Sequence, residues 1–216
     1  MPFFLPARRE PPRGFGGKGI GYRFCFTSFE IEHPNVIYLS LQDNEFPFQG
    51  FTNLRLTARG IVFDERGLVA VHHIKRNDLF GDQEYFETPG GGVDEGETVE
   101  QALLRECREE LGEEVEILCP LGIVEDAYNA IQRRNQNHYF LCQKTSQGKA
   151  HFVSEGDSLI QETLYLPLDE AIQKMRSQPK ELVSRLVKQR ELPILEEACR
   201  ILKENPELRK RVNGRF

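Results

Sequence analysis

Gly91-x5-Glu97-x7-Arg105-Glu106-Cys107-Arg108-Glu109-Glu110-Leu111-Gly112 sets three carboxylates on one side of a helix that opens just after a run of glycines. At 100° per residue, Glu106, Glu109 and Glu110 stand at i, i+3 and i+4, within an arc of about 100°. Like charges at this spacing cost an isolated helix roughly 0.2–0.5 kcal/mol per pair. A plain acidic surface face is the ordinary alternative. Here, however, Val99, Ala102 and Leu103 project close to Glu106, and Cys107 and Leu111 continue the apolar side. The carboxylates therefore border the stripe that should face a core. Charges beside a low-dielectric surface are tolerated when paired or metal-bound. Hard divalent cations such as Mg²⁺ or Mn²⁺ are the matching partners for an all-oxygen donor set.

Upstream, Gly90, Gly91 and Gly92 let backbone come close to an anion and offer N–H donors ahead of a helix N-terminus. Downstream, Gly112 is a helix-stop signal. The helix is expected over about 98–111, entered from Thr98.

The stretch resembles the Nudix box, G-x5-E-x7-R-E-U-x-E-E-x-G-U, where U is a bulky aliphatic residue. Gly91, Glu97, Arg105, Glu106, Glu109, Glu110 and Gly112 fill all its fixed positions. The two U positions depart from it: Cys107 is small but apolar, and Glu113 stands where an aliphatic residue is expected, leaving Val115 to take over the packing. A looser likeness runs from about Leu54 to Met175. It includes Phe86-Glu87-Thr88-Pro89-Gly90-Gly91 as the lead-in to the box and Leu164–Ala171 as a late strand running into a short helix.

The resemblance implies an α/β/α sandwich with a mixed sheet, and hydrolysis of a nucleoside diphosphate linked to another moiety. It implies Mg²⁺ or Mn²⁺ as cofactor, with Glu106, Glu109, Glu110 and the carbonyl of Gly90 as ligands and Arg105 paired to Glu97. It also places Glu155, in the loop Ser154-Glu155-Gly156-Asp157, as a further ligand or base, with Glu162 as the runner-up. Tyr128, 16 residues after Gly112, matches the spacing at which some dinucleoside-polyphosphate hydrolases carry a base-stacking tyrosine. Two other readings belong to different classes: a nucleotide-sensing Nudix-fold regulator without activity, and an RNA-end or cap hydrolase.

Around this centre the chain divides into an arm over 1–22, rich in Pro, Gly and Arg and read as disordered, an extension over 23–53, the hydrolase domain over 54–175, and a helical tail over 176–216. The extension is a candidate substrate flap, dimer contact or arm outside catalysis. Asp64-Glu65-Arg66-Gly67 between two apolar runs signals a β-hairpin. Further strands are expected over 85–88, 115–124, 138–143 and 163–166, with helices over 169–176, 180–188 and 193–203. At the end of the second strand, Lys75 and Arg76 are candidates to reach the substrate. Glu87 is a candidate to hold a metal-bound water, the competing reading being a strand residue facing solvent. The pair His72-His73 points to opposite faces of a strand and reads as incidental.

Charge is unevenly spread. Residues 54–170 hold 11 basic and 23 acidic residues, a net of −12, whereas residues 171–216 hold 12 basic and 6 acidic, a net of +6. An acidic domain handling phosphates needs cations to reverse its local field. The basic tail reads as the solvated side of helices packed on that domain rather than as a nucleic-acid surface. No apolar run approaches the roughly 18 residues of a membrane span. The short apolar start, followed by arginines, does not suit a signal-peptide core. Five scattered cysteines without a C-x-x-C pair read as reduced thiols in a cytoplasmic protein.

Overall fold

Asp64 closes the first hairpin as its sequence demands. Its carboxylate accepts from the backbone N–H groups of Arg66 and Leu68, both at 2.9 Å, while Gly67 takes a φ of +78°. The computed structural model describes residues 36–148, 150 and 157–213; the arm over 1–22, the start of the extension and Glu155 lie outside the described residues. The hairpin joins β2 (Asn53–Phe63) to β3 (Val69–Asp78), but the two strands pair only at Phe63 and Val69. Beyond that point they diverge.

Into the divergence comes β5 (Gly90–Gly92), antiparallel to Thr57–Arg59 of β2, after β4 (Gly81–Glu87) has paired with β3. Gly90 is obligatory here: its φ is +129°, and a Cβ would lie 2.2 Å from the carbonyl oxygen of Ala58. On the other side β2 runs parallel to β7 (Arg133–Gln147), which is antiparallel to β6 (Glu113–Tyr128). β1 (Ile37–Ser40) adds in parallel at the edge, and β8 (Ile160–Leu166) pairs with β3, completing a mixed sheet ordered β1-β6-β7-β2-β3-β4.

Helices cover both faces. α1 (Val99–Glu106) starts at a Thr98–Gln101 capping box and buries Val99, Ala102 and Leu103 against Ala58 and Val62 of β2 and Phe140 and Cys142 of β7. The last turn departs from the expected α-helix. Cys107–Leu111 forms a wider π turn before Gly112 stops it at φ +67°. Cys107 is fully buried in this core, and Val115 packs there too. Glu113, at the aliphatic position of the box, is buried as well. Lys144 at 3.1 Å and the Tyr165 hydroxyl at 2.7 Å offset its charge.

The opposite face carries α2 (Leu168–Ser177) and α3 (Leu182–Glu204), followed by α4 (Pro206–Arg211). The tail helices expected as two are one, with Pro193 inside α3. An interior proline costs about 3 kcal/mol. Each of Ile194, Leu195, Ala198 and Leu202 is fully buried on the same helix, and each buried Leu or Ile contributes roughly 1.5–3 kcal/mol, which outweighs that cost. The described part of the extension joins this layer. Asp43 accepts from the Asn129 N–H at 2.9 Å, and Arg185 of α3 holds Glu45 at 2.8 Å. Among the described residues no helix is long and apolar enough to cross a membrane.

Candidate active site

Strand alternation builds the floor of a cleft of about 540 Å³. Arg55, Thr57 and Arg59 of β2, Ile74 and Arg76 of β3, Tyr85 and Glu87 of β4, and Arg133, Asn135 and Asn137 of β7 all point into it. The glycine strand β5 forms its rim, with the π turn beyond, so Glu106, Glu109 and Glu110 reach the cleft beside β5, where β2 and β3 diverge.

Each box carboxylate has a different environment. Glu106 is buried against Gly91, where a Cβ would fall 2.5 Å from its Oε1. Burial, then the charge of Glu110, pushes its pKa up to about 7, against the pull of Arg105. Glu110 accepts from the Gly90 N–H at 2.7 Å and lies 3.1 Å from Nε2 of His72, whose Nδ1 is 3.0 Å from the Thr163 hydroxyl. Among the described residues Glu109 has Arg105 as its ion-pair partner, at 3.1 Å. Arg105 is the hub: it meets both oxygens of Glu97 at 3.1 and 3.0 Å, donates to the Gly92 carbonyl at 2.7 Å, and bridges Glu106 and Glu109 through one nitrogen.

Among the described residues no three carboxylate, imidazole or thiol groups converge on a ready-made cation position. The donor set nevertheless fits a hard divalent ion. It consists of oxygens only, one of them a desolvated carboxylate whose proton affinity is raised by its acidic neighbours, and a guanidinium now spans two of the three.

Behind the glycine strand lies a buried ion network that sequence reasoning missed. Arg190 of α3 meets Asp126 at 3.2 Å, Glu87 at 3.3 Å and Glu191 at 2.9 Å. Arg59 meets Glu87 at 3.3 Å and Glu191 at 3.5 Å, and donates to the Thr88 carbonyl at 2.7 Å. Glu191 in turn accepts the Thr88 N–H at 2.7 Å. Glu87 thus neither faces open solvent nor is free. Burial would raise its pKa, but Arg59 and Arg190 hold it below the ordinary carboxylate value.

Of the other candidates, Arg76 enters the cleft, held by Asp78 and lying over the Phe80 ring at 5.3 Å. Lys75 does not: it is exposed on the reverse face, because its neighbours Ile74 and Arg76 take the inward positions. Tyr128 is buried in the cleft wall, with Arg133 over its ring at 5.1 Å and Phe80 edge-on at 6.1 Å. Gly90 meets the box through its N–H. Glu162 is exposed and lies 3.5 Å from His73, away from the cleft. His72, passed over as incidental, is the inward member of its pair.

The NUDIX domain model matches residues 53–186. The chain belongs to the Nudix family. With every fixed box position in place, it is a pyrophosphohydrolase of that family. A search of curated proteins finds no match. Among solved structures, it is similar to the E. coli ORF135 protein, at 22% identity and a TM-score of 0.52 over 71% of this chain and 94% of that one. It is similar to a Nudix hydrolase from Nitrosomonas europaea, at 18% and 0.52 over 68% and 90%. The MutT protein from Methanosarcina mazei Go1 is a further likeness, at 14% and 0.51 over 71% and 97%. At these identities the likeness carries the fold.

Proposed function

We propose that this Nudix protein hydrolyses a pyrophosphate bond in a nucleotide derivative, with Mg²⁺ or Mn²⁺ held by Glu106, Glu109 and Glu110. The observation that carries the reading is Glu106, a buried carboxylate seated on Gly91 and crowded by two more carboxylates. When bound, the ion supplies Lewis acidity at the phosphorus and lowers the pKa of the attacking water. The chain's own residues do the rest. Gly91 lets the phosphate chain approach Glu106 without a side chain between them. Arg105 and Glu97 lock the glycine strand to the helix. His72 and the Gly90 N–H orient Glu110, and Tyr128 with Phe80 gives an aromatic wall to the far moiety. Glu155 remains the candidate base, able to act only within hydrogen-bond reach of the water.

All three box glutamates are retained, which favours an enzyme over a sensor. Among the described tail residues Arg190 is the one buried arginine; it faces inward into the ion network, and this favours a small-molecule substrate over RNA. The described cysteines are unbridged, in keeping with a cytoplasmic location. The test is turnover of a panel of nucleoside diphosphate derivatives with Mg²⁺, products identified by mass, beside Glu109→Gln and Glu110→Gln. Turnover by the parent and none by either variant is expected; unaltered hydrolysis in both variants would overturn the assignment.

A further inference from the structure

Among the described residues six arginines line the cleft, and four of them are already engaged by protein carboxylates: Arg59, Arg76, Arg105 and Arg190. Arg55 and Arg133 are not. Among the described residues neither makes an ion pair or a hydrogen bond, and the Nε of Arg133 is buried with no partner. They share one face of the sheet, Arg55 opposite Asn135 and Arg133 opposite Asn53 on the paired strands β2 and β7. Arg55 leans over the glycine strand: a Cβ on Gly92 would lie 3.2 Å from its Nη2. Arg133 sits further along, over Tyr128.

Both guanidinium groups have pKa values below the ordinary arginine value. For Arg55 partial desolvation acts first, then the charges of Arg133 and Arg59; for Arg133 burial acts first. Arg55 is exposed and Arg133 half-buried, so both guanidinium groups are open to an incoming anion, and like charges side by side on one wall favour an anion between them. The carboxylates whose charge reaches them are held by other arginines: Glu106 by Arg105, Glu87 by Arg59 and Arg190, and Asp126 by Arg190.

We propose that Arg55 and Arg133 form an anion subsite for a phosphate beyond the pair at the box, so that the preferred substrates carry three or more phosphates in a row. The proposal rests on the hydrolase reading and narrows it. Guanidinium forks match phosphate oxygens bidentately. The subsite begins at the glycine strand and extends toward the Tyr128 ring, which suits a linear polyphosphate leading to a base. A neutral sugar in that place would leave both cations unpaired.

The experiment compares kcat/KM for nucleoside triphosphates and dinucleoside tetraphosphates with that for nucleotide sugars and ADP-ribose, in the parent protein and in Arg55→Gln and Arg133→Gln. The parent should favour the longer phosphate chains by at least about 10-fold, and each variant should lose about 10–100-fold on them, mainly in KM, with less than about 3-fold loss on nucleotide sugars. A parent that prefers nucleotide sugars, or variants whose losses are equal on both classes, would overturn it. Inorganic tripolyphosphate titrated into the protein in EDTA separates this subsite from the chemistry. Binding weakened at least about 10-fold in both variants supports it even if no substrate turns over, and binding indifferent to both sinks it even if the hydrolase reading stands.

Discussion

Replacing Arg190 with methionine keeps the volume of a long side chain and removes the charge that three carboxylates share. The losses are unequal. Glu87 and Glu191 keep Arg59, at 3.3 and 3.5 Å, and Glu191 keeps the Thr88 N–H. Among the described residues Asp126 keeps only the Asn135 amide at 2.6 Å, and its side chain is fully buried. Breaking a buried pair from one side costs about 3–5 kcal/mol, because the stranded charge stays desolvated. That is a large share of the roughly 5–15 kcal/mol that holds a typical domain folded. Urea unfolding of Arg190→Met should therefore show a loss of about 3–5 kcal/mol. Adding Asp126→Asn should recover at least about 1 kcal/mol, since the stranded group becomes neutral. A loss below about 1 kcal/mol, or a double variant no more stable than Arg190→Met, would refute the view that this network is desolvated and that Asp126 is its weakest member.

Three further outcomes are expected. Glu106 titrates near pH 7 in the folded chain, above its unfolded value near 4.5, so metal-free protein should lose stability as pH rises between these values. Glu106→Gln should lack that loss, so the melting difference between parent and variant in EDTA should change between pH 5 and 8; a constant difference contradicts it. Gly91→Ala should fold, because the atoms nearest its Cβ are the far end of the Glu106 side chain, yet lose about 100-fold in turnover through displacement of that carboxylate. Gly90→Ala, meeting the Ala58 backbone at φ +129°, should instead fail as soluble protein, and equal behaviour of the two alanines would contradict both assignments. His72→Phe should weaken Mn²⁺ binding by about 10–100-fold, read by titration calorimetry, with near-parent unfolding in the absence of metal.

What the chain reveals by itself depends on how far apart the partners lie. The β2–β3 hairpin is legible because Asp64, Arg66 and Gly67 specify the turn within four residues. The box helix and its stop are legible for the same reason, whereas Arg105 meeting Glu97, eight residues apart, is legible through the family resemblance. The π turn is not: it differs from an α turn by one register of hydrogen bonds, which composition does not encode. Pro193 misleads in the other direction, since its local effect is to break a helix and only burial of the residues around it shows why α3 continues. His72 and Lys75 show a third limit. Alternation separates each from its neighbour, but the face that is inward depends on which strands flank β3.

The tail makes the same point for function. In sequence Arg190 and Glu191 are two charges between two expected amphipathic helices, over 180–188 and 193–203, and solvation is the natural reading. Their partners Arg59, Glu87 and Asp126 lie on three different strands, brought together only because β2 and β3 diverge and the glycine strand enters between them. That divergence leaves the Thr88 backbone to be held by Glu191 and Arg59 from behind, while Gly90 and Gly91 meet Glu110 and Glu106 in front. The position of the glycine strand relative to the box is thus set from both sides, by residues about 80 positions apart in the chain. A perturbation of α3 that spares the box should therefore still move Gly90–Gly92, and with them the carboxylates that rest there.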